Sequence, residues 1–199
     1  FMSSCNDYQK LLNSPENEVD KYTAAEEYYD NGEFRRANAL FEQIIPSYRG
    51  KPQMERIQFM VAQAHYNTKQ YTLAAYYFDK FVKNYPKSSK LEESAYLSAH
   101  SYFLASPVFS LDQKDTQEAI TALQNFLYKY PESNKVSEAN ENIKVLTKKL
   151  EKKSFEIAKQ YYHTEDYIAA IAAFDNLLGD YLGTSYKEEA MYLKFKSAY

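Results

Sequence analysis

The chain has 199 residues, a formal net charge of −3 and 26% charged residues, so bulk charge draws it neither to nucleic acid nor to anionic lipid. It is long enough to bury a large core, as one big domain or two small ones, and it contains no run of about eighteen apolar residues that could span a bilayer. Four Gly and six Pro stand against 21 Tyr and 12 Phe, with no Trp; together with abundant Ala, Glu, Lys and Leu, this predicts helices joined by short turns.

Cys5, near the start, is the single cysteine, which excludes a disulfide within the chain and a thiolate metal site. No His or basic cluster adjoins it to lower its pKa. Small Ser3 and Ser4 precede it, apolar Phe1 and Met2 precede them, and a polar tract follows. This resembles the end of a bacterial lipoprotein signal, where the cysteine is acylated and becomes the mature N-terminus. Met2 stands where Leu is usual, and the charged and apolar parts of a signal would lie upstream of residue 1. The alternative is a stray cysteine in a frayed tail. Residues 1–18 are expected to form a lipidated tail, with a covalent lipid on Cys5 and no other cofactor.

A repeat runs through the rest. "AEEYYDNGEFRRANALFEQIIPSY" from Ala25 aligns with "AQAHYNTKQYTLAAYYFDKFVKNY" from Ala62 and "AKQYYHTEDYIAAIAAFDNLLGDY" from Ala158. The shared frame is Ala25/Tyr28/Phe34/Ala37/Phe41, then Ala62/His65/Tyr71/Ala74/Phe78, then Ala158/Tyr161/Tyr167/Ala170/Phe174. A further copy, Ala99 and Tyr102 followed by Ala119 and Leu123, carries about eight extra residues, "SPVFSLDQ", between its helices. A fifth starts at "EEAMYLKFKSAY", which mirrors "EESAYLSAHSYF" from Glu92, and its second helix is not reached. The pattern resembles the tetratricopeptide repeat, a pair of antiparallel helices A and B whose small residues allow close approach. Ala at the crossing removes bulk, aromatics fill the flanks, and each pair leaves an apolar face for the next. The fold expected is all-α: a tetratricopeptide-repeat superhelix of five helical hairpins, the last truncated, in two groups joined by a long helix.

The turns keep the frame. "NYPKSSKLEE" and "KYPESNKVSE" end helix B with Tyr-Pro and then supply Ser; Ser89 with Glu92 has capping-box spacing, and "DYLGTSYKEE" keeps Ser185 and Glu188. Matched alanines of helix B, at 37, 74, 119 and 170, are separated by 37, 45 and 51 residues. The last step exceeds the first by close to four helical turns. No Gly or Pro occurs from Glu132 to Leu178, and Val136, Ala139, Ile143, Leu146 and Leu150 lead in helical phase to Ile157 and Tyr161, so one long helix is predicted from about Asn134 to His163. The organisation expected is repeats 1–3 over 19–133 and, over 134–199, the connecting helix with repeats 4 and 5, the last partial. The Lys-rich "TKKLEKKS" reads as a solvated face.

Catalytic chemistry finds no foothold. His65, His100 and His163 lie far apart in sequence, and no phosphate loop, His-Glu-x-x-His or Cys-x-x-Cys motif is present. No catalytic residue and no metal ligand is assigned. An aromatic ladder does stand out: two helix-A positions seven residues apart, Tyr22/Tyr29, Phe59/Tyr66, Tyr96/Phe103, Phe155/Tyr162 and Tyr192/Tyr199. The rings either fill space between successive A helices or line a groove for an extended, aromatic-rich peptide. All four arginines, Arg35, Arg36, Arg49 and Arg56, lie within 22 residues of each other, and Arg binds carboxylates as a planar fork. Arg56, one turn before Phe59, is either an ordinary surface residue or the holder of a peptide carboxylate. The candidate groove comprises Tyr22, Tyr29, Arg56, Phe59, Tyr66, Tyr96, His100 and Phe103.

A cysteine near the start, five such repeats, and the stretch "SLDQKDTQEAITALQNFLYKYPESNKVSEANENIKVLTKKLEKKSFEIAKQYY" together resemble the BamD-like lipoproteins of the outer-membrane β-barrel assembly machine. The markers are Asp112 and Gln113 with Asp115 and Thr116, Tyr130-Pro131 with Ser133, Glu138 and Ala139, and Ile157 and Ala158 with Tyr161. The resemblance implies a non-catalytic scaffold, lipid-anchored on the periplasmic face of the outer membrane. Its C-terminal half would dock on a BamA-like barrel insertase, alongside other subunits of the machine. Its N-terminal repeats would receive the C-terminal targeting strand of unfolded outer-membrane proteins, which ends in an aromatic residue and a free carboxylate. "NDYQK" after Cys5 has no acidic run of the kind linked to surface export, which fits the periplasmic side. Two other readings stay open: a different lipidated repeat adaptor, and a glycan-binding outer-membrane lipoprotein.

Overall fold

The computed structural model describes residues 3–14 and 17–199, with side chains from Tyr8 onward. All its regular elements are helices: α1 (Ser3–Asn13), α2 (Glu18–Asp30), α3 (Phe34–Tyr48), α4 (Gln53–Asn67), α5 (Tyr71–Asn84), α6 (Leu91–Ala105), α7 (Lys114–Lys129), α8 (Val136–His163), α9 (Tyr167–Asp180) and α10 (Lys187–Ser197). They fall into two compact units. The first comprises the described residues up to Ala105 together with Asn125–Pro131, and the second Ser106–Gln124 together with Glu132–Tyr199.

The repeat frame becomes the core of both. In the first unit α3 packs on α2 and α4, α4 on α5, and α5 on α6; in the second α9 packs on α8 and α10. Ala25, Ala37 and Phe41, then Ala62, Ala74 and Phe78, then Ala158, Ala170 and Phe174 are all 0% exposed. A methyl at each crossing lets the backbones close, and a ring one turn further along helix B fills the space this leaves. His65, in the place of the repeat's Tyr, is buried, stacks on Tyr77 with centroids 4.9 Å apart and bonds through Nδ1 to Gln70 Oε1 at 3.1 Å.

The turn inside each hairpin is built the same way three times. Glu33 N–H reaches back to Tyr28 O and Gly32 N–H to Tyr29 O; Gln70 and Lys69 repeat this onto His65 and Tyr66, and Asp166 and Glu165 onto Tyr161 and Tyr162. This crossed pair satisfies the last carbonyls of helix A and needs one left-handed residue. Gly32 supplies it at φ 77°, whereas Lys69 and Glu165 adopt φ 62° with side chains that disfavour it.

Between hairpins the caps expected at Ser89 and Ser185 move back by one residue, while Ser133 keeps its place. The hydroxyl that accepts a backbone N–H belongs to Ser88 (from Lys90, 3.0 Å), Ser133 (from Lys135, 3.2 Å) and Thr184 (from Tyr186, 3.1 Å), rather than to Ser89 or Ser185. The hydroxyl bonds two residues ahead within the turn, which leaves the capping-box spacing unused.

The long helix is present as α8, 28 residues, with Ala139, Leu146, Leu150, Phe155 and Ala158 buried. Its lysines correct the solvated-face reading. Lys149 Nζ donates to Ser106 Oγ at 2.7 Å, Lys152 lies 4.2 Å from the Phe109 ring centroid, and Lys153 donates to Leu111 O. Burial pushes the Lys149 ammonium below its usual pKa. These cations clamp the inserted loop onto α8. Gln113 closes the same loop from inside, donating to Val108 O and Leu111 O at 2.9 Å each. Where the sequence suggests only a tail, α1 is helical and sets Tyr8, Leu11 and Leu12 against the core of the first hairpin.

Candidate functional site

In the first unit the A helices α2, α4 and α6 lie side by side and parallel, joined by polar contacts that advance together along each helix. Arg56 Nε meets Glu26 Oε1 at 2.8 Å, and Tyr29 OH donates to Gln63 Oε1. Gln63 Nε2 then donates to Glu93 Oε1 at 3.3 Å, and Tyr66 OH shares a 2.6 Å hydrogen bond with His100 Nδ1. Each link joins a residue one or four positions after the helix-A alanine to a position 30 or 34 residues later, so the repeat frame sets the register of these contacts as well as the core.

Along this row opens a cavity of about 400 Å³. Tyr29 and Asp30 come from α2, and Glu55, Arg56, Phe59, Met60 and Gln63 from α4; Phe81 of α5 and Lys90, just ahead of α6, complete the wall. The floor is aromatic: Phe59 lies 5.6 Å from Phe81 and 6.3 Å from Phe78, centroid to centroid. The rim is cationic on two sides. Lys90 Nζ sits 5.3 Å from the Phe59 centroid and 2.9 Å from Glu93 Oε2. The Arg56 side chain is 62% exposed, and Glu26 engages it through Nε, so its terminal nitrogens remain for a second carboxylate. Asp30 and Glu55 line the same cavity, so its formal charges balance, two carboxylates against Arg56 and Lys90.

The predicted groove residues divide into three groups. Tyr29, Arg56 and Phe59 share the cavity. Tyr66, Tyr96, His100 and Phe103 form a separate aromatic stack: His100 lies 5.6 Å from both Tyr96 and Phe103 in near-parallel planes. Tyr22 stands apart, stacked on Tyr48 at 5.4 Å, and reaches Arg56 through Glu26, whose carboxylate accepts its hydroxyl at 2.8 Å. Two of the rings are core residues, Phe59 at 9% exposure and Tyr96 at 4%, so packing accounts for them first. Burial, then the hydrogen bond to Glu26, pushes the Tyr22 phenol up to about 12. Burial, then the charges of Asp30 and Glu93, pushes Tyr29 up to about 12. Both phenols are neutral donors near pH 7.

Lys90 and Gln63 escaped the sequence reading. Gln63 follows the helix-A alanine as Glu26 does, which is a positional signal; Lys90 has none, being one of many turn lysines. The side chain of Cys5 lies outside the described residues. Among the described residues no group of three or more His, Cys, Asp or Glu could hold a metal ion, and no helix is long and apolar enough to cross a membrane.

The second unit presents a different surface. A cavity of about 490 Å³ between α9 and α10 is walled mostly by Ile171, Leu178, Leu182, Met191 and Phe195, with Lys187 and Lys194 at its edge. Phe155 stacks on Tyr186 at 4.4 Å, and Lys159 Nζ bonds Glu189 Oε1 at 2.9 Å, the same 30-residue link that joins Glu26 to Arg56.

Over residues 15–199 the sequence matches a family model described as YfiO, outer membrane lipoprotein. No curated protein sequence matches it. Among solved structures, one similar chain is a set of nearly identical TPR-like repeats from Podosopora anserina. It shares 16% identity and has a TM-score of 0.47, with 92% of this chain and 94% of that chain covered.

Proposed function

Because this chain belongs to the YfiO family of outer membrane lipoproteins, we propose that it is a BamD-like scaffold of the β-barrel assembly machine, anchored by lipid on Cys5 at the periplasmic face. Its second unit docks on a BamA-like insertase and other subunits of the machine. Its first unit receives the C-terminal strand of an unfolded outer-membrane protein. The cavity at Arg56 supports this reading best: an aromatic floor of Phe59 and Phe81, with Arg56 and Lys90 exposed above it.

A strand that ends in an aromatic residue carries a ring and a carboxylate a few ångströms apart. The ring gains by leaving water for Phe59 and Met60, at about 25 cal/mol per Å² of apolar area buried. The carboxylate pairs with the Arg56 fork, and the Tyr29 hydroxyl, which donates to Gln63, keeps its oxygen as an acceptor for a strand N–H. The protein works by positioning, without covalent chemistry. Each buried lipid CH₂ contributes about 0.8 kcal/mol, so more than one acyl chain gives lasting attachment, and the anchor raises the local concentration of the cavity beside the insertase.

The test is a photo-reactive amino acid placed at Gln63, in membranes that carry the protein. Crosslinks to the last residues of a barrel client, and a separate co-purification of a large β-barrel protein, are expected. Crosslinks that map to the client's interior, with its C-terminus untouched, would refute the receiving role. Fractionation of Cys5→Ser tests the anchor: the variant should leave the membrane fraction, and an unchanged distribution would remove it.

A further inference from the structure

Helix α1 is fixed to the first hairpin in one direction. Tyr8 meets Tyr28 edge-on at 5.4 Å, and the Arg36 guanidinium lies over both rings, 5.2 Å from Tyr8 and 5.5 Å from Tyr28. Leu11 and Leu12 follow at helical spacing on the same face and pack against the core of that hairpin. Four residues beyond Tyr8, Leu12 O accepts Gln43 Nε2 at 3.1 Å, and Gln43 Oε1 accepts the buried Lys21 ammonium at 2.6 Å. Tyr8 therefore sits by the end of α2 and the start of α3, while Leu12 sits by the opposite end of α2. The arm runs antiparallel to α2 and points its N-terminus past the turn at residues 31–33.

That turn does not stand alone. The links Glu26–Arg56 and Tyr29–Gln63 run in the same chain order, so α2 and α4 are parallel, and the turn at residues 68–70 shares the same end of the unit. The turn between α5 and α6, which contains Lys87, lies at the other end. A helices of 13 and 15 residues put about 20 Å between the two ends.

Cys5 is three residues ahead of Tyr8, inside the same helix. Its backbone is about 4.5 Å above Tyr8 along the helix axis, and even a fully extended link would span only about 10 Å. A lipid on this cysteine leaves no room for a flexible tether. We propose that α1 is a rigid arm that stands the first unit on the bilayer, with residues 31–33 and 68–70 against the headgroup layer and the α5–α6 turn facing away. This rests on the Cys5 acylation proposed above. The facing end carries Arg35 and Lys69 but also Asp30 and Glu33, and this mixed charge gives the lipid surface little electrostatic reason to choose it. The arm sets the orientation, which should therefore be the same on neutral and anionic membranes.

The chain has no Trp and one Cys, which makes the test direct. Three single-Trp variants, Asn31→Trp, Asn67→Trp and Lys87→Trp, are reconstituted in neutral phosphatidylcholine vesicles containing headgroup-nitroxide lipid. One set is the lipoprotein purified from membranes; the other is protein made in the cytoplasm, where Cys5 keeps a free thiol, coupled there to a maleimide phospholipid. With about 20 Å between the ends, quenching at Asn31→Trp and Asn67→Trp should exceed that at Lys87→Trp severalfold, and about ten Gly-Ser residues inserted between Cys5 and Tyr8 should erase the difference. Equal quenching at all three positions of the coupled protein, or an asymmetry that survives the insertion, would overturn the arm. An asymmetry in the coupled protein, with no lipid mass on Cys5 of the purified one, would instead remove the acylation and leave the geometry standing.

Discussion

The two units use one repeat frame and end in different surfaces. In the first, each A helix is bonded to its neighbour through polar groups, and the cavity along that row carries exposed cations over rings. In the second, the corresponding link survives as Lys159–Glu189, but the trough beside α10 is walled mostly by apolar side chains, with Lys187 and Lys194 at its edge. The crossings themselves do not differ: the helix-A alanine is fully buried in α2, α4 and α8, so the backbones close alike in both units. The difference lies beside the crossings, in paired polar groups along α2, α4 and α6 against Ile171, Met191 and Phe195 along α9 and α10.

The largest effects should be shared by both units. Phe78→Ala in the first and Phe174→Ala in the second each remove a fully buried ring and should cost about 3–5 kcal/mol, read from urea unfolding midpoints. A much smaller loss in one unit would mean that the equivalence of the two cores is wrong.

Overpacking sharpens the comparison. Ala62→Leu in the first unit and Ala158→Leu in the second force bulk into closed crossings, and each should cost about 1–3 kcal/mol. A penalty at one position alone would separate crossings that look identical.

The intra-hairpin turns should respond alike across the units. Lys69→Gly and Glu165→Gly place glycine where Gly32 already adopts a positive φ, and each should raise stability by about 0.5–1 kcal/mol in thermal unfolding. Stabilisation at one site alone would separate turns that look identical.

The smallest effect at working pH concerns the first unit. Tyr22 and Tyr29 are pushed from 10.0 to about 12, so the folded state holds these protons more tightly than the unfolded chain. Their contribution is complete below pH 10.0 and is lost as the pH rises through about 12. Tyrosinate absorbance set beside helical circular dichroism checks this, and helix loss that begins well below pH 10.0 would point to other groups.

The hairpins were legible because spacing alone carries them: of the fifteen frame positions in the three aligned stretches, the nine that hold the crossing alanines and the helix-B phenylalanines are fully buried. The long helix was legible for the same reason, from unbroken apolar phase without Gly or Pro. The lysine clamp was not, because a lysine that donates to a loop carbonyl looks the same in sequence as one in water. Helix α1 left only the short run Tyr8, Leu11 and Leu12, too brief to outweigh a polar tail. At the candidate site, three of the eight residues named from sequence, Tyr29, Arg56 and Phe59, line one cavity, and the other five lie elsewhere along α2, α4 and α6. Rings seven residues apart share a helix face, yet burial of Phe59 and Tyr96 depends on neighbours contributed by α5 and by residue Phe126, which no local spacing reveals.

Carboxylate recognition at Arg56 carries the receiving role of the first unit. Titration calorimetry with a strand peptide ending in phenylalanine, as free acid and as amide, tests it most directly. The account predicts that the free acid binds at least about tenfold tighter, the scale of one charge-assisted hydrogen bond, and that Arg56→Ala removes the difference while Lys159→Ala preserves it. Equal affinity of acid and amide for the unaltered protein would contradict it.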